Sequence, residues 1–279
     1  MKKVGVIGGG VMGSGITEVI SKAGIDVVNV DIYPSGLENS KKRITKDMAY
    51  LVKKGALTRE EADLVLRKIT YSTSYESIKD CDFVIEAVPE KIELKKELFS
   101  KLDEIVTKEA ILASNASALK ITEIAGGTKT PERCIGMHFF HPAPVMKLVE
   151  IMMGKETSQE TFRKSLEFAS RIGKIAVPAP ESPGFIVNRI LVPMINEAAF
   201  LVMEGCNPKD VDDAMKLGAN HPMGPLELCD YTGVDITYGT MKALYDGFKD
   251  EKYKPCPLLI EMIEMGKCGR KTGQGFYKY

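Results

Sequence analysis

His138 and Glu150 have the residue types and spacing of a proton-transfer pair. His138 ends the apolar run CIGMH, and Glu150 follows twelve residues later, near the next predicted strand. A histidine titrates near neutral pH, so it can take the proton of a hydroxyl group while a hydride leaves the same carbon. Glu150 can hold the imidazole tautomer and stabilise its charged form. The residues alone also allow a hydrogen-bonded structural histidine, or a metal site that adds His141, although no cysteine lies nearby.

A glycine motif near the N-terminus predicts a dinucleotide-binding turn. It follows the run VGVI, opens a helical pattern and has the form GxGxxG. Glycines in this pattern let a pyrophosphate approach the helix N-terminus, where unpaired N–H groups and the helix dipole stabilise negative charge. The motif residues are Gly8, Gly10, Val11, Met12 and Gly13.

Asp31 ends the second predicted strand, about where an acidic residue holds the 2′-hydroxyl of a ribose. A carboxylate there repels the additional phosphate of NADP, so we expect the cofactor to be NAD. The alternative is a tight glycine turn in an α/β protein that binds no nucleotide.

The elements that must position these residues alternate between strands and helices. Short β-branched runs predict the strands Lys3–Ile7, Ile25–Asp31, Phe83–Glu86, Ile111–Ser114 and Cys134–His138. Amphipathic stretches predict the helices Met12–Ala23, Ser35–Lys54 and Ile92–Val106. This α/β pattern predicts a Rossmann-type, mostly parallel sheet, and such sheets bind ligands at the carboxyl ends of their strands.

The character of the chain changes near residue 180. Ala176–Gly184 contains three prolines and a glycine, which predicts a linker. Helical periodicity then dominates, in Phe185–Glu204, Lys209–Leu217 and Val234–Tyr245. We therefore predict a Rossmann domain that binds NAD over residues 1–182 and a smaller all-helical domain over residues 183–279.

Composition narrows the partners and the compartment. Lys+Arg and Asp+Glu both number 38, so no overall basic field favours nucleic acid. No apolar run reaches the roughly 18–20 residues that cross a bilayer, and the N-terminal apolar stretch runs into glycines as a strand would. The six cysteines are scattered, without a CxxC pair, which is typical of a reducing compartment. We expect a cytoplasmic protein without a membrane partner.

Longer motifs extend along almost the whole chain. They are VIGGGVMGSGI, VIEAVPEKIELKKELF, ILASNAS, GMHFFHPAPVMKLVEI, PGFIVNRILVPMINEA, DDAMKLGANHPMGPLEL and GRKTGQGFY. In these motifs and their order the sequence resembles the 3-hydroxyacyl-CoA dehydrogenase family. The resemblance implies NAD-dependent oxidation of an (S)-3-hydroxyacyl-CoA, with 3-hydroxybutyryl-CoA as the expected substrate, to the 3-ketoacyl-CoA, and the reverse reduction.

The same resemblance implies roles for individual residues. His138 matches the catalytic base and Glu150 its partner. Ser117 matches a serine that hydrogen-bonds the substrate oxygen at C3, close to the cofactor. Asn188 matches an asparagine that positions the acyl group. The helical domain of the family usually forms a dimer interface, so the resemblance implies a homodimer.

Other residues match cofactor-side or coenzyme A positions. The cofactor-side residues are Glu90, Lys95 and Lys271. A basic helix beside the cofactor cleft could attract the phosphates of coenzyme A, and the resemblance favours Lys54 for this role. Each lysine taken alone reads as solvated surface charge.

The chain departs from the family at two positions. His141 stands where the family commonly has an asparagine that hydrogen-bonds ligand near the reaction centre, so we expect His141 to contact cofactor and substrate in its place. Ala116 replaces a threonine beside Ser117. Two other functions stay open: a related dehydrogenase of a free 3-hydroxy acid such as L-gulonate, and a non-catalytic NAD-binding sensor.

Overall fold

The computed structural model describes residues 2–279, which divide into two compact units. The first unit ends at Glu181, and the second runs from Ser182 to Tyr279. The first unit is built around an eight-stranded sheet. Its strands are β1 (Lys3–Ile7), β2 (Asp26–Val30), β3 (Ile69–Ser72), β4 (Phe83–Glu86), β5 (Ile111–Ser114), β6 (Cys134–Phe139), β7 (Leu148–Met153) and β8 (Ile175–Ala179).

The order of the strands across the sheet is β3-β2-β1-β4-β5-β6-β7-β8. Neighbours from β3 to β6 are parallel, whereas β7 runs antiparallel to β6, and β8 runs parallel to β7. The carboxyl ends of β1, β4, β5 and β6 therefore share one edge, the site edge, with the amino ends of β7 and β8. The chain order reverses at β1, and open α/β sheets bind ligands in the crevice outside such a point.

Helices cover the sheet and bury its strands. They are α1 (Val11–Lys22), α2 (Pro34–Lys53), α3 (Arg59–Arg67), α4 (Ile92–Ile105), α5 (Ile121–Ala125) and α6 (Gln159–Arg171). Ile16 and Ile20 recur at helical spacing on α1 and share a core with Val4 and Val6 of β1. This packing fixes the start of α1 over the carboxyl end of β1.

The second unit has a core of its own. Its helices are α7 (Val187–Met203), α8 (Pro208–Gly218), α9 (Pro225–Thr232), α10 (Val234–Phe248) and α11 (Pro257–Glu264). Ile195 of α7 packs with Cys229 of α9 and Leu259 of α11, all of them buried. The backbone N–H groups of Phe276 and Tyr277 both donate to the Asp230 carboxylate at 2.9 Å, so the C-terminal segment is tied to α9.

The predicted fold class is confirmed: a mostly parallel Rossmann-type sheet precedes an all-helical region. The predicted strands Lys3–Ile7, Phe83–Glu86 and Ile111–Ser114 have the observed bounds. The linker prediction over Ala176–Gly184 is wrong in its first part, because β8 extends to Ala179. Pro178 is tolerated there because β8 lies at the border of the sheet, where one side of a strand makes no ladder hydrogen bonds.

Several elements lie outside the predicted ones. Helix α3 and strand β3 were not predicted, because their sequences show no clear helical or strand periodicity. Helices α9 and α11 were not predicted either, because they begin at prolines, which favour turns. Pro225 and Pro257 occupy the first helical turn, where the missing N–H costs no hydrogen bond. Within residues 2–279, none of the helices combines the length and apolar character needed to span a membrane.

Candidate active site

The glycine motif forms a tight connection between β1 and α1. Gly8 has φ +112°, and a Cβ at this position would lie 2.8 Å from the carbonyl oxygen of Ala87. A Cβ at Gly13 would collide with the carbonyl oxygen of Gly8, so a side chain there would push α1 off the strand. A Cβ at Gly10 would have no atom within 4 Å, so the space before the first turn of α1 is open. Val11 is half exposed at this opening.

Asp31 is linked to this turn from the end of β2. Its carboxylate accepts hydrogen bonds from the backbone N–H of Gly9 at 2.7 Å and from that of Tyr33 at 2.9 Å. The carboxylate therefore stays beside the open N-terminus of α1. An open helix N-terminus for a pyrophosphate, with a fixed acceptor beside it for a ribose hydroxyl, fits the dinucleotide NAD.

His138 and Glu150 meet across the antiparallel junction of β6 and β7. They are directly opposite each other in the ladder, so their side chains lie on the same face of the sheet. The distance from His138 Nδ1 to Glu150 Oε2 is 2.8 Å. His138 is 5% exposed and Glu150 is fully buried, and the Phe140 ring packs against the imidazole at 4.5 Å between ring centroids. This arrangement can fix the imidazole orientation and stabilise its positive charge.

A buried ion pair lies at the carboxyl end of β4. The Lys95 ammonium donates to Glu86 Oε1 at 2.6 Å, and both residues are fully buried. The Ser114 hydroxyl donates a hydrogen bond to the second oxygen of Glu86 at 2.7 Å, which ties β4 to β5. The interpretation of Lys95 as a solvated surface residue is therefore wrong. Glu86 was not among the predicted site residues, and its signal in the sequence is a carboxylate ending the apolar run FVIE.

Glu90 connects this ion pair to the segment that carries Ser117. Its Oε2 lies 3.5 Å from the Lys95 ammonium. Its Oε1 accepts the backbone N–H groups of Ser117 at 2.7 Å and Ala118 at 2.9 Å. Ala116 beside them is fully buried. One carboxylate thus sets the backbone conformation from which the Ser117 hydroxyl is presented.

Asn115 joins the Ser117 segment to the strand of His138. Its side-chain oxygen accepts a hydrogen bond from the backbone N–H of Phe139 at 2.9 Å. The backbone N–H of Asn115 donates to the backbone carbonyl oxygen of Glu86 at 2.8 Å. Asn115 is buried and was not among the predicted site residues. Its place inside ILASNAS, between two serines, was the available signal.

The remaining predicted residues lie on other segments of the first unit or in the second unit. His141 is exposed, two residues after β6. Lys54 caps the C-terminus of α2, and its ammonium lies 5.7 Å from the Tyr50 ring centroid. Asn188 occupies the first turn of α7. The Lys271 ammonium contacts both carboxylate oxygens of Asp235, at 2.5 and 2.6 Å.

Metal ligation has little support in the part of the chain that the structure describes. Residues 2–279 contain no group of three or more His, Cys, Asp and Glu side chains that could hold a metal ion. Glu150 contacts Nδ1 of His138, which is the geometry of an acid–base pair.

A parallel sheet with a glycine turn and a histidine–carboxylate pair at one edge defines a nicotinamide-dependent dehydrogenase as the class of protein. Comparison with known families is consistent with this class. Residues 3–182 match the 3-hydroxyacyl-CoA dehydrogenase NAD binding domain, and residues 184–279 match the C-terminal domain of the same family. The chain belongs to the 3-hydroxyacyl-CoA dehydrogenase family, and its cofactor is NAD.

Individual relatives are similar to this chain over nearly its full length. The chain is 46% identical over 280 residues to a 3-hydroxybutyryl-CoA dehydrogenase of Bradyrhizobium diazoefficiens, covering 100% of this chain and 96% of that protein. It is 45% identical over 278 residues to a 3-hydroxybutyryl-CoA dehydrogenase of Clostridioides difficile, covering 99% of each. The crystal structure of (S)-3-hydroxybutyryl-CoA dehydrogenase from Ralstonia eutropha superimposes with a TM-score of 0.96 at 42% identity, covering 100% of this chain and 99% of that one.

Replacing Asp31 tests the cofactor side. Asp31→Asn removes the negative charge and leaves a single oxygen for two N–H groups and a ribose hydroxyl. We expect the KM for NADH to rise roughly tenfold, the cost of about one hydrogen bond, and the preference for NADH over NADPH to fall. Steady-state kinetics with both cofactors measure this. Asp26→Asn, at the exposed start of the same strand, is the control, and an unchanged preference in Asp31→Asn would refute the assignment.

Replacing Glu150 tests the acid–base pair. Glu150→Gln keeps the side-chain shape but removes the charge that stabilises the imidazolium. We expect kcat to fall by about 10²- to 10⁴-fold while the Kd for NADH stays within about twofold. Glu156→Gln, at an exposed position, controls for the exchange of carboxylate for amide. A kcat close to that of the unmodified enzyme would show that Glu150 does not assist His138.

Proposed function

We propose that this chain oxidises (S)-3-hydroxyacyl-CoA, with 3-hydroxybutyryl-CoA as its main substrate, to the 3-ketoacyl-CoA, and catalyses the reverse reduction. The observation that carries this proposal is the buried pair of His138 and Glu150 on the same sheet edge as the glycine turn. The names of the full-length relatives support the choice of a short acyl thioester.

His138 handles the proton of the reaction in this proposal. Because Glu150 engages Nδ1, the other ring nitrogen, Nε2, takes the proton of the substrate 3-hydroxyl group. NAD, when bound, supplies the acceptor for the hydride. In the reduction, the protonated His138 returns its proton to the oxygen at C3. The buried Glu150 carboxylate holds the ring in one orientation through its contact with Nδ1.

Ser117 and Asn188 orient the substrate in this proposal. The Ser117 hydroxyl hydrogen-bonds the oxygen at C3, and the contact between Glu90 and its backbone N–H holds the segment in place. Asn188 positions the acyl group, and His141 provides a further ligand hydrogen bond. Lys54 attracts the phosphates of coenzyme A. Residues 1–182 act as the NAD-binding domain and residues 183–279 as the substrate and dimerisation domain.

Cofactor contacts come mainly from the first unit in this proposal. The glycine turn and Asp31 hold the pyrophosphate and a ribose. Glu90 is partly exposed and reaches the cofactor directly, whereas the buried Lys95 acts by holding Glu90. Lys271 contributes from the helical domain.

A cytoplasmic homodimer is the proposed state of the protein. The scattered free cysteines favour a reducing compartment. Helix α7 exposes apolar side chains, among them Ile190 at 68% and Met203 at 50%, which a second copy of the helical domain would cover. Light scattering coupled to size exclusion is expected to give the mass of two chains. The mass of one chain would contradict the dimer.

The reaction itself is tested by following NADH consumption at 340 nm. We expect rapid turnover with acetoacetyl-CoA and little with free acetoacetate, because the acid lacks the coenzyme A contacts. NADPH is expected to support little turnover, because Asp31 repels its phosphate. Turnover of acetoacetate at a similar rate would favour a free-acid dehydrogenase. Binding of NADH without turnover of any of these compounds would favour a sensor.

A further inference from the structure

Lys174 is a buried lysine at the site edge that the proposed reaction does not use. It lies just before β8 and is 8% exposed. Its ammonium donates to the carbonyl oxygen of Ala143 at 2.6 Å and to that of Met146 at 2.7 Å. Both carbonyl groups belong to residues 142–146, the site turn, which connects the strand of His138 to the strand of Glu150.

The sheet topology brings Lys174 to the site edge. Strands β7 and β8 begin where β6 ends, because β7 runs antiparallel to β6. The backbone N–H of Ile175 donates to the carbonyl oxygen of Lys147 at 2.8 Å, so the ladder of β7 and β8 starts directly beside the site turn. Lys174 therefore emerges at the end of the turn that follows His141.

The site turn also packs against α1. A Cβ at Gly15 would lie 3.1 Å from the Ala143 side chain and 3.2 Å from Pro144. Within the turn, the backbone N–H groups of Val145 and Met146 both donate to the carbonyl oxygen of Pro142 at 3.0 Å. The turn thus contacts both the helix that starts at the glycine motif and the Lys174 ammonium.

Burial of Lys174 has a cost that this geometry explains. Burial and the neighbouring Lys22 lower the pKa of Lys174, and Glu18 on α1 opposes them. A buried cation is costly, but the buried carbonyl group of Ala143 without a donor would be costly as well. Two charge-assisted hydrogen bonds to one short segment restrict that segment strongly.

We propose that Lys174 is a positioning residue of the dehydrogenase reaction, which fixes the site turn and thereby the orientation of His141 toward the acyl thioester. This inference rests on the proposed function. Lys174 does not contact the reacting atoms, so its effect on turnover passes through the turn. Its loss affects the thioester side of the reaction more than the cofactor side, because the glycine turn and Asp31 hold NAD independently.

The test removes the ammonium with Lys174→Met. We expect kcat/KM for acetoacetyl-CoA to fall between about tenfold and a hundredfold, as for a displaced positioning group, while the KM for NADH changes less than about twofold. Lys22→Met is the matched control, since this exposed neighbour contacts Glu18 instead of the turn. Lys174→Met combined with His141→Ala is expected to lose no more activity than the worse single variant, because Lys174 acts through His141 in this proposal.

Three results would overturn the proposal. They are an unchanged kcat/KM in Lys174→Met with only a lower Tm, equal losses on the NADH and thioester sides, and losses that multiply in the double variant. If Lys174→Met does not fold, Lys174→Gln replaces it with the same expectations, because glutamine is neutral and shorter.

A second readout separates this proposal from the reaction assignment. Amide hydrogen exchange at Val145 and Met146 is expected to accelerate in Lys174→Met and to stay unchanged in Lys22→Met. If the unmodified enzyme does not reduce acetoacetyl-CoA, the reaction assignment fails, and faster exchange still supports fixation of the turn. Unchanged exchange would refute the role of Lys174 whatever the substrate is.

Discussion

The reversal of chain direction between β6 and β7 is the constraint on which the arrangement of residues at the site edge depends. In a fully parallel sheet, the next strand would return through a long crossover and begin at the opposite edge. Here a short connection lets β7 start beside the end of β6, so His138 and Glu150 are cross-strand neighbours with 2.8 Å between their side chains. The same reversal puts the start of β8, and with it Lys174, at this edge. One topological feature therefore brings together His138, which is the proposed base, Glu150, and Lys174, which donates to the turn between their strands.

The buried Glu86 carboxylate connects the glycine turn to the segment that carries Ser117. It accepts hydrogen bonds from Lys95, from Ser114 and from the backbone N–H of Val88. The backbone of Ala87, next to Glu86, lies beside Gly8. Lys95 also contacts Glu90, which accepts the backbone N–H of Ser117. Loss of one partner of a fully buried ion pair costs about 3–5 kcal/mol, so the pair of Lys95 and Glu86 resists disruption. Such preorganisation is what oriented proton and hydride transfer requires.

Local sequence pattern predicted the elements that carry the candidate site. GxGxxG with its flanking strand and helix predicted the turn between β1 and α1, and the apolar run ending at His138 predicted strand β6, whereas the role of His138 as the base was implied only by the family resemblance. Glu86 and Lys174 were beyond this reasoning, because a charged residue beside an apolar run usually marks the surface. Their burial follows only from the order of the strands, which brings several chain segments around each charge. Pro178 led to a predicted linker where the structure has strand β8. Proline argues against a strand except at the border of a sheet, and β8 lies at that border.

In the proposed reaction, His138 moves the substrate proton while hydride passes between C3 of the thioester and NAD. Deuterium transfer from C4-labelled NADH to acetoacetyl-CoA tests this claim most directly, with the labelled product located by mass spectrometry and NMR. The unmodified enzyme is predicted to place deuterium at C3 of 3-hydroxybutyryl-CoA. His138→Gln is predicted to bind NADH with similar affinity and to transfer the label at least about 10²-fold more slowly. Absence of label from the thioester, or transfer by His138→Gln at the unmodified rate, would contradict the account.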